Sequence, residues 1–288
     1  MQFKKGIILA AGKGTRLSPA TSVVSKPLLP VYDKPMLYYA LATLMHAGIK
    51  EVLFISRQED HKIFKKLFKD GKNLGMKFKY AVQKKAVGIP DAIRIGEKFI
   101  NKKPFILALA DNIFVGTGLD KLLKKTASSG AKATVLAVKV PNPQKSGVIQ
   151  FDKNMNILSL EEKPIKPKSN FIIPGLYFFN KDSLNYFKSI KKSSRGEFEI
   201  IDIIKKYLEA SNLNVAPLPK HIKWFDTGDA NEMLIASNFI QKYQEDNNEL
   251  VASIEAIALK NKWITRIQFN KLLEKIPNSQ YQAALKKL

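Results

Sequence analysis

An apolar run, Gly6-Ile-Ile-Leu9, opens without a break into Ala10-Ala-Gly-Lys-Gly-Thr-Arg16, and this junction constrains the chain more than any other stretch. A short apolar run that ends in a glycine-rich turn reads as a buried strand delivering a loop to one end of a sheet. Gly12 and Gly14 allow φ > 0 and close backbone approach, so that successive N–H groups can converge on an oxyanion. Arg16 adds a fixed fork of donors suited to phosphate oxygens. The P-loop pattern fails because no Gly-Lys-Ser/Thr closes the loop, and the dinucleotide fingerprint fails because Leu17 stands where its third glycine belongs. A glycine-rich turn after a strand is also a plain connection, so the residues beyond it decide the reading.

Apolar strands at 6–10, 51–56, 78–82 and 104–110 alternate with helical patterns at 35–47, 60–69, 89–99 and 118–128. Such alternation predicts an α/β fold of the nucleotide-binding, Rossmann-like kind, a mixed and mainly parallel sheet with helices on both faces. Strands at 132–140, 147–151, 157–162 and 171–179 follow in closer succession, which predicts a mixed extension of the sheet. Past residue 229 apolar residues recur at three and four, at 230–243, 254–258 and 267–276, as in amphipathic helices. The organisation expected is an α/β domain over 1–228, with a first half to about 115 and a second over 116–228, and a helical region over 229–288. Open parallel sheets bind ligands beyond the carboxyl ends of their strands. The glycine loop, Gln83 after Phe78–Val82 and Asp111 after Phe105–Ala110 all fall at such ends.

The formal net charge of +23 raises a nucleic-acid reading. Against it, only five of the cations are arginines, at 16, 57, 94, 195 and 266, and the lysines are scattered along the chain, as at 62, 65, 66 and 69, in the manner of solvated faces. No specific nucleic-acid partner is expected. No stretch of 18 uninterrupted apolar residues and no signal-peptide pattern is present, and there is no cysteine, so no membrane and a cytoplasmic location are expected. His46, His61 and His221 lack ligand spacing.

Ser25-Lys-Pro-Leu-Leu-Pro30 follows the glycine loop about ten residues on. Further along stand Tyr32-Asp-Lys-Pro-Met36, Asp111-Asn-Ile-Phe114, Ser159-Leu-Glu-Glu-Lys-Pro164, Gly175-Leu-Tyr-Phe178 and Trp224-Phe-Asp-Thr-Gly228. In this order and spacing they resemble the signature of sugar-1-phosphate nucleotidyltransferases, within them the thymidylyltransferases that make dTDP-glucose, and the likeness runs nearly end to end. The resemblance implies transfer of a nucleotidyl group from dTTP to glucose 1-phosphate with Mg²⁺ as cofactor, as a first step toward dTDP-rhamnose and related sugars. It also implies a homotetramer, a sheet extension that binds the sugar, and feedback by a dTDP-sugar, for which the C-terminal helices supply surface.

Carried over by position, the resemblance gives Leu9, Ala11, Gly12, Gly14, Thr15, Arg16, Lys26, Gln83, Gly88 and Asp111 to the nucleotide. Arg16 and Lys26 would grip the β and γ phosphates, and Asp111 and Asp226 would hold the metal. Gln83 would meet the pyrimidine edge with one donor and one acceptor, and Gly88 would meet it by its backbone. Asn112, Gly147, Glu162, Lys163 and Ile173 fall on the sugar side, where Lys163 would pair with the sugar phosphate and orient its attack. Read from the residues alone each has a plainer alternative: Asp111 a helix N-cap, Asp226 an Asp-Thr-Gly turn, Lys26 a surface cation, Glu162-Lys163 a charged strand end. Arg195 resembles a family position without an assigned role.

Several residues depart from the family pattern: Ala11 for glycine, Pro27 for glutamine, Ala110 for glycine, Ile89-Pro90-Asp91 for Leu-Ala-Gln, Ser146 for tyrosine and Pro174 for threonine. They cluster around the base and the sugar. A uridylyltransferase using UTP is the neighbouring alternative, and a silent sugar-nucleotide sensor or a basic nucleic-acid binder are alternatives of other classes.

Overall fold

The computed structural model describes residues 3–128 and 132–288. Strand β1 (Lys5–Ala10) is followed by the short hairpin of β2 (Pro30–Val31) and β3 (Lys34–Pro35), then helix α1 (Met36–His46), β4 (Glu51–Ser56), α2 (His61–Phe68) and β5 (Lys77–Val82). Helices α3 (Asp91–Ile95) and α4 (Glu97–Ile100), β6 (Phe105–Leu109), β7 (Asn112–Val115) and α5 (Leu119–Ser128) complete the first half. The second half runs β8 (Ala133–Lys139), β9 (Gly147–Phe151), β10 (Ile157–Glu162), β11 (Phe171–Ile172), β12 (Leu176–Phe179), α6 (Ser183–Ser189), α7 (Ile200–Glu209), β13 (Leu213–Pro217) and β14 (Lys223–Asp226). Four helices close the chain: α8 (Ala230–Asn247), α9 (Ile254–Lys260), α10 (Arg266–Leu273) and α11 (Gln280–Lys286).

The main sheet has the order β10-β9-β11-β8-β12-β6-β1-β4-β5, with β13 added to β8. Strands β6, β1, β4 and β5 are all parallel. The antiparallel β12 joins them to an extension in which β8, β11, β9 and β10 also pair antiparallel. Successive side chains of a strand point to opposite faces. Ile8, Val52, Phe54, Ile106 and Ala108 therefore enter a core beneath α1, α2 and α5, while Ile7, Leu53, Ile55, Phe105 and Leu107 enter a second core beneath α3, α4, α6 and α7. With both faces covered, the parallel strands read as unbroken apolar runs rather than as alternations. Truncating Ile7 or Ile8, each fully buried, costs about 2–5 kcal/mol.

The C-terminal helices share the first core: Ile254, Ile257, Phe269, Leu273 and Leu285 are buried in it with residues of α1. Thr265 and Gln268 form a capping box that starts α10, and Asp229 accepts from the Glu232 N–H to start α8. The helix expected over 89–99 is two short pieces meeting at Gly96. The strand expected over 171–179 is broken around Pro174, which has no N–H to give a ladder. Unforeseen were β2, β3, β7, β13, β14, α6, α7 and α11. The ribbon of β7 and β14 matters most, because it sets Asp226 opposite Asn112 and so next to Asp111.

Candidate active site

Three strand ends converge where β1 and β6 finish. The loop after β1 turns at Gly14, whose φ of +65° is left-handed and whose missing Cβ would lie 2.8 Å from the Lys26 Cβ. Glycine is required there on both counts. Gly12 has no positive φ, so the left-handed backbone expected at both glycines occurs at Gly14 only, and Ala11 fits without left-handed strain. The Leu9 carbonyl accepts from the Ala110 N–H at 3.0 Å, tying the loop's root to the end of β6. Thr15 and Arg16 begin a short turn on the exposed side of the loop.

Lys26 is 7% exposed, and its Nζ lies 2.6 Å from the Asp111 Oδ2. The surface-cation and helix-cap alternatives both fall with this contact: Lys26 points inward and Asp111 faces it instead of capping a helix. The preceding Ser25 donates to the Asp60 Oδ2, which also accepts from Arg57, and this fixes the approach of the loop. Thr227 donates from both its N–H and its hydroxyl to the Asp111 carbonyl, so the turn after β14 is stapled to the end of β6. Asp226 thus stands beside Asp111, and burial first, then the Asp111 charge, hold its carboxyl above the ordinary range, with Lys26 and Arg16 pulling partly back. The Arg16 guanidinium reaches this turn, where a Cβ on Gly228 would lie 2.8 Å from its Nη2.

Asn112 serves the scaffold. Its Oδ1 accepts from the Gly175 N–H and the Trp224 Nε1, each at 2.7 Å, and its Nδ2 donates to Asp111. Its carbonyl is therefore committed within the protein.

On the extension, Gly147 pairs with Glu162 across β9 and β10, and Ile173 donates its N–H to the Gly147 carbonyl. Lys163 takes a left-handed φ of +45° at the end of β10 and donates its N–H to Ser146, with Nζ 3.8 Å from Glu162. Burial raises the Glu162 carboxyl above its usual value, and the cations Lys163 and Arg195 oppose that rise. Arg195 is the residue that sequence reasoning left without a role: its Nη2 lies 3.3 Å from Glu162 and 2.7 Å from Glu199. The Arg195-Gly-Glu-Phe-Glu199 segment was the available signal, but the pairing across 33 residues was not readable from it.

The two flanks meet at Gly88. Its φ is +106°, and the space of its missing Cβ is filled by the Phe198 carbonyl, 2.1 Å from where that atom would sit. Phe198 also donates its N–H to Val87. The loop carrying Gln83 and Gly88 is in this way packed against the loop carrying Arg195. The Gln83 Nε2 is already bound within the protein, to Asp91 at 3.1 Å and more weakly to Gly88. The donor half of the base pairing expected for Gln83 is thus spent. Among the described residues no cluster of three or more histidine or acidic side chains could hold a metal, which leaves the pair of Asp111 and Asp226.

Residues 5–243 match the nucleotidyl transferase family. The chain is 43% identical to the glucose-1-phosphate thymidylyltransferase of Neisseria meningitidis, with 99% of each chain covered. It is 42% identical to that of Mycobacterium tuberculosis, with 90% of each covered. Among solved structures, a Bacillus anthracis protein described as a glucose-1-phosphate thymidylyltransferase, in complex with sucrose, superposes with a TM-score of 0.75 at 34% identity, covering 82% of this chain and 94% of that one. A UDP-glucose pyrophosphorylase with bound UDP-glucose gives 0.73 at 26%, covering 84% and 99%.

Proposed function

This chain belongs to the nucleotidyl transferase family, among the glucose-1-phosphate thymidylyltransferases, and from that premise we propose that it joins dTTP to glucose 1-phosphate, giving dTDP-glucose and pyrophosphate. The observation that carries the reading is the seam of Lys26, Asp111, Asp226 and Arg16 at the ends of β1 and β6. An oxygen of the sugar phosphate attacks the α-phosphorus of the triphosphate, and the bond from that phosphorus to the bridging oxygen breaks. The nucleophile is already an anion, so no strong base is required. Catalysis then rests on holding two polyanions in line and neutralising the charge that builds up.

Asp111 and Asp226 fit Mg²⁺. They are two adjacent hard oxygen donors in a partly buried seam, and such an ion takes few protein ligands beside phosphate oxygens. Bound there, it supplies positive charge to the reacting phosphate. Lys26 is held inward to pair with phosphate oxygens, and Arg16 extends from an exposed turn to close on the triphosphate. Glu162 accepts from sugar hydroxyls, and Lys163 with Arg195 places two cations beside the sugar phosphate.

The same reading extends to assembly as a homotetramer in the cytoplasm and to feedback by a downstream dTDP-sugar. Supporting the last, the C-terminal helices and α1 line an open pocket of about 1280 Å³, walled by His46, Phe114, Tyr243 and Tyr281 among others and sharing no residue with the seam. No helix among the described residues is long and apolar enough to cross a membrane.

Use of UTP is a second reading, favoured by the likeness to a UDP-glucose pyrophosphorylase with bound UDP-glucose, and the edge that Gln83 would meet is one that thymine and uracil share. Pyrophosphate release from a matrix of nucleoside triphosphates and sugar 1-phosphates, with and without Mg²⁺, tests both. The proposal expects dTTP with glucose 1-phosphate to lead, UTP to be used at no less than about a hundredth of its efficiency, and turnover to need the metal. A clear preference for UTP would move the assignment, and no turnover of any pair would defeat it.

A further inference from the structure

The surroundings of Gln83 fix more than its position. Gln83 directly follows β5 and is only 7% exposed, with its N–H donating to the Ser56 carbonyl. Its side-chain Nε2 lies 3.1 Å from the Asp91 Oδ2 and 3.4 Å from the Gly88 carbonyl. Asp91 is itself 2% exposed, at the first turn of α3, and its other oxygen accepts from the Arg94 Nε at 2.6 Å. A carboxylate bound to a guanidinium, like a main-chain carbonyl, can only accept. Both groups facing the Gln83 amide are therefore acceptors, so the NH₂ end must turn toward them whichever way the amide is first drawn. Its Oε1 is left pointing the other way, and no donor among the described residues bonds to it.

We propose that Asp91 is a specificity-determining positioning residue: by claiming the donor end of Gln83, it presents the nucleotide base with a lone acceptor. The proposal rests on the reading that Gln83 faces the base. Thymine and uracil carry an N3–H and satisfy that acceptor. Cytosine carries a lone pair at N3, so acceptor would meet acceptor in a desolvated site. The chain thus selects N3–H pyrimidines without any direct contact from Asp91, at one of the positions where it departs from the family pattern.

The test is steady-state kinetics with dTTP and dCTP at saturating glucose 1-phosphate, in wild type and in Asp91→Asn. Wild type is expected to favour dTTP by at least about a hundredfold in kcat/KM. In the variant, the asparagine oxygen turns to Arg94 and its NH₂ to Gln83. Two donors then oppose each other at the shorter contact, and, with only the 3.4 Å bond to the Gly88 carbonyl to oppose it, the Gln83 amide reverses to offer a donor to the base. The dTTP to dCTP ratio should fall at least about tenfold, chiefly through KM, with kcat for dTTP nearly kept; a role confined to packing would leave the ratio untouched. If Asp91→Asn does not fold, Asp91→Ala carries a milder form of the same test, since only the longer bond to the Gly88 carbonyl then orients the amide, and the ratio should also fall. A folded variant with the wild-type ratio overturns the role of Asp91 alone. A wild type that does not discriminate against dCTP overturns the base-facing reading of Gln83 on which the role rests.

Discussion

Asp111 and Asp226 are placed by main-chain pairing at strand ends, with Lys26 reaching Asp111 from a short turn, whereas the side chains of Gln83, Glu162 and Arg195 are each oriented by another side chain. In the seam, Asp111 follows β6, Asp226 ends a strand bonded to β7, and Thr227 closes the gap with two hydrogen bonds to one carbonyl. On the flanks, Gln83 depends on Asp91 and Glu162 on Arg195, which depends in turn on Glu199. A position set by the ladder of a sheet moves only if the sheet moves, so charge can be aimed there without further support. A position set by a side-chain bond can be changed by one substitution, which suits the part of a site that distinguishes one base or sugar from another.

The sharpest way to break this contrast is Asp111→Asn. The amide keeps the shape and the main-chain bonds, so the fold should persist, but the seam loses the charge that pairs with Lys26 and would hold the metal. We expect kcat to fall by a factor on the order of 10² or more, with an unchanged far-UV spectrum. Near-normal turnover at limiting Mg²⁺ would mean that the seam is only scaffolding.

Gln83→Ala probes the first flank. It should weaken dTTP and UTP alike, by about 1–3 kcal/mol in kcat/KM, because the Oε1 addresses an edge they share and the Asp91 Oδ2 loses its donor while Oδ1 keeps Arg94. Parallel kinetics with the two nucleotides check it. A loss confined to one of them would show that Gln83 reads something other than that edge.

Arg195→Gln probes the second flank. Arg195 is partly exposed, so its contribution is discounted for solvent screening, and we expect a rise of about tenfold in KM for glucose 1-phosphate rather than a collapse of kcat. The pH dependence gives an independent readout. Arg195 is one of the cations that hold the Glu162 carboxyl down against burial. Without it that carboxyl loses its proton at higher pH, and the acid limb of kcat/KM should move upward. An unmoved acid limb would separate Arg195 from Glu162 despite their proximity.

The same contrast explains what could be read from the sequence. The seam is written in local motifs, a glycine loop, a Ser-Lys-Pro and two strand-terminal aspartates, because each residue is placed by the few residues around it. The parallel strands were legible for a similar reason, since burial on both faces leaves apolar runs. The flanks are written in pairs separated along the chain, 162 with 195 and 88 with 198, which no local pattern encodes. Asp91 was visible only as a departure. The spacing of Ile200, Ile201, Ile203, Ile204 and Tyr207 is helical and α7 could have been read from it. By contrast β7 and β14 are four-residue strands that exist only because they pair with each other.

Asp226 offers the smallest effect on stability and the finest test, because the buried charge of the seam has a cost of its own. Its carboxyl is held above the ordinary value of 3.8 by burial and by Asp111. Between 3.8 and that raised value the native state binds more protons than the unfolded chain, so stability falls as pH rises through the window, and the penalty is fully present above it. Asparagine cannot ionise. Asp226→Asn, measured without divalent metal, should therefore melt higher than wild type at pH 7, at roughly 2–4 °C for each kcal/mol gained in a chain of this size, and the advantage should shrink as pH is lowered toward 3.8. Adding Mg²⁺ should raise the wild-type Tm by preferential binding to the native state and leave the variant nearly unmoved. The variant would then be more stable and inactive, the pattern expected where a site keeps an unfavourable charge for function. A metal-free variant that melts lower than wild type at pH 7 would show instead that Lys26 and Arg16 hold Asp226 more strongly than burial opposes it, and that the seam is stabilised by its charges.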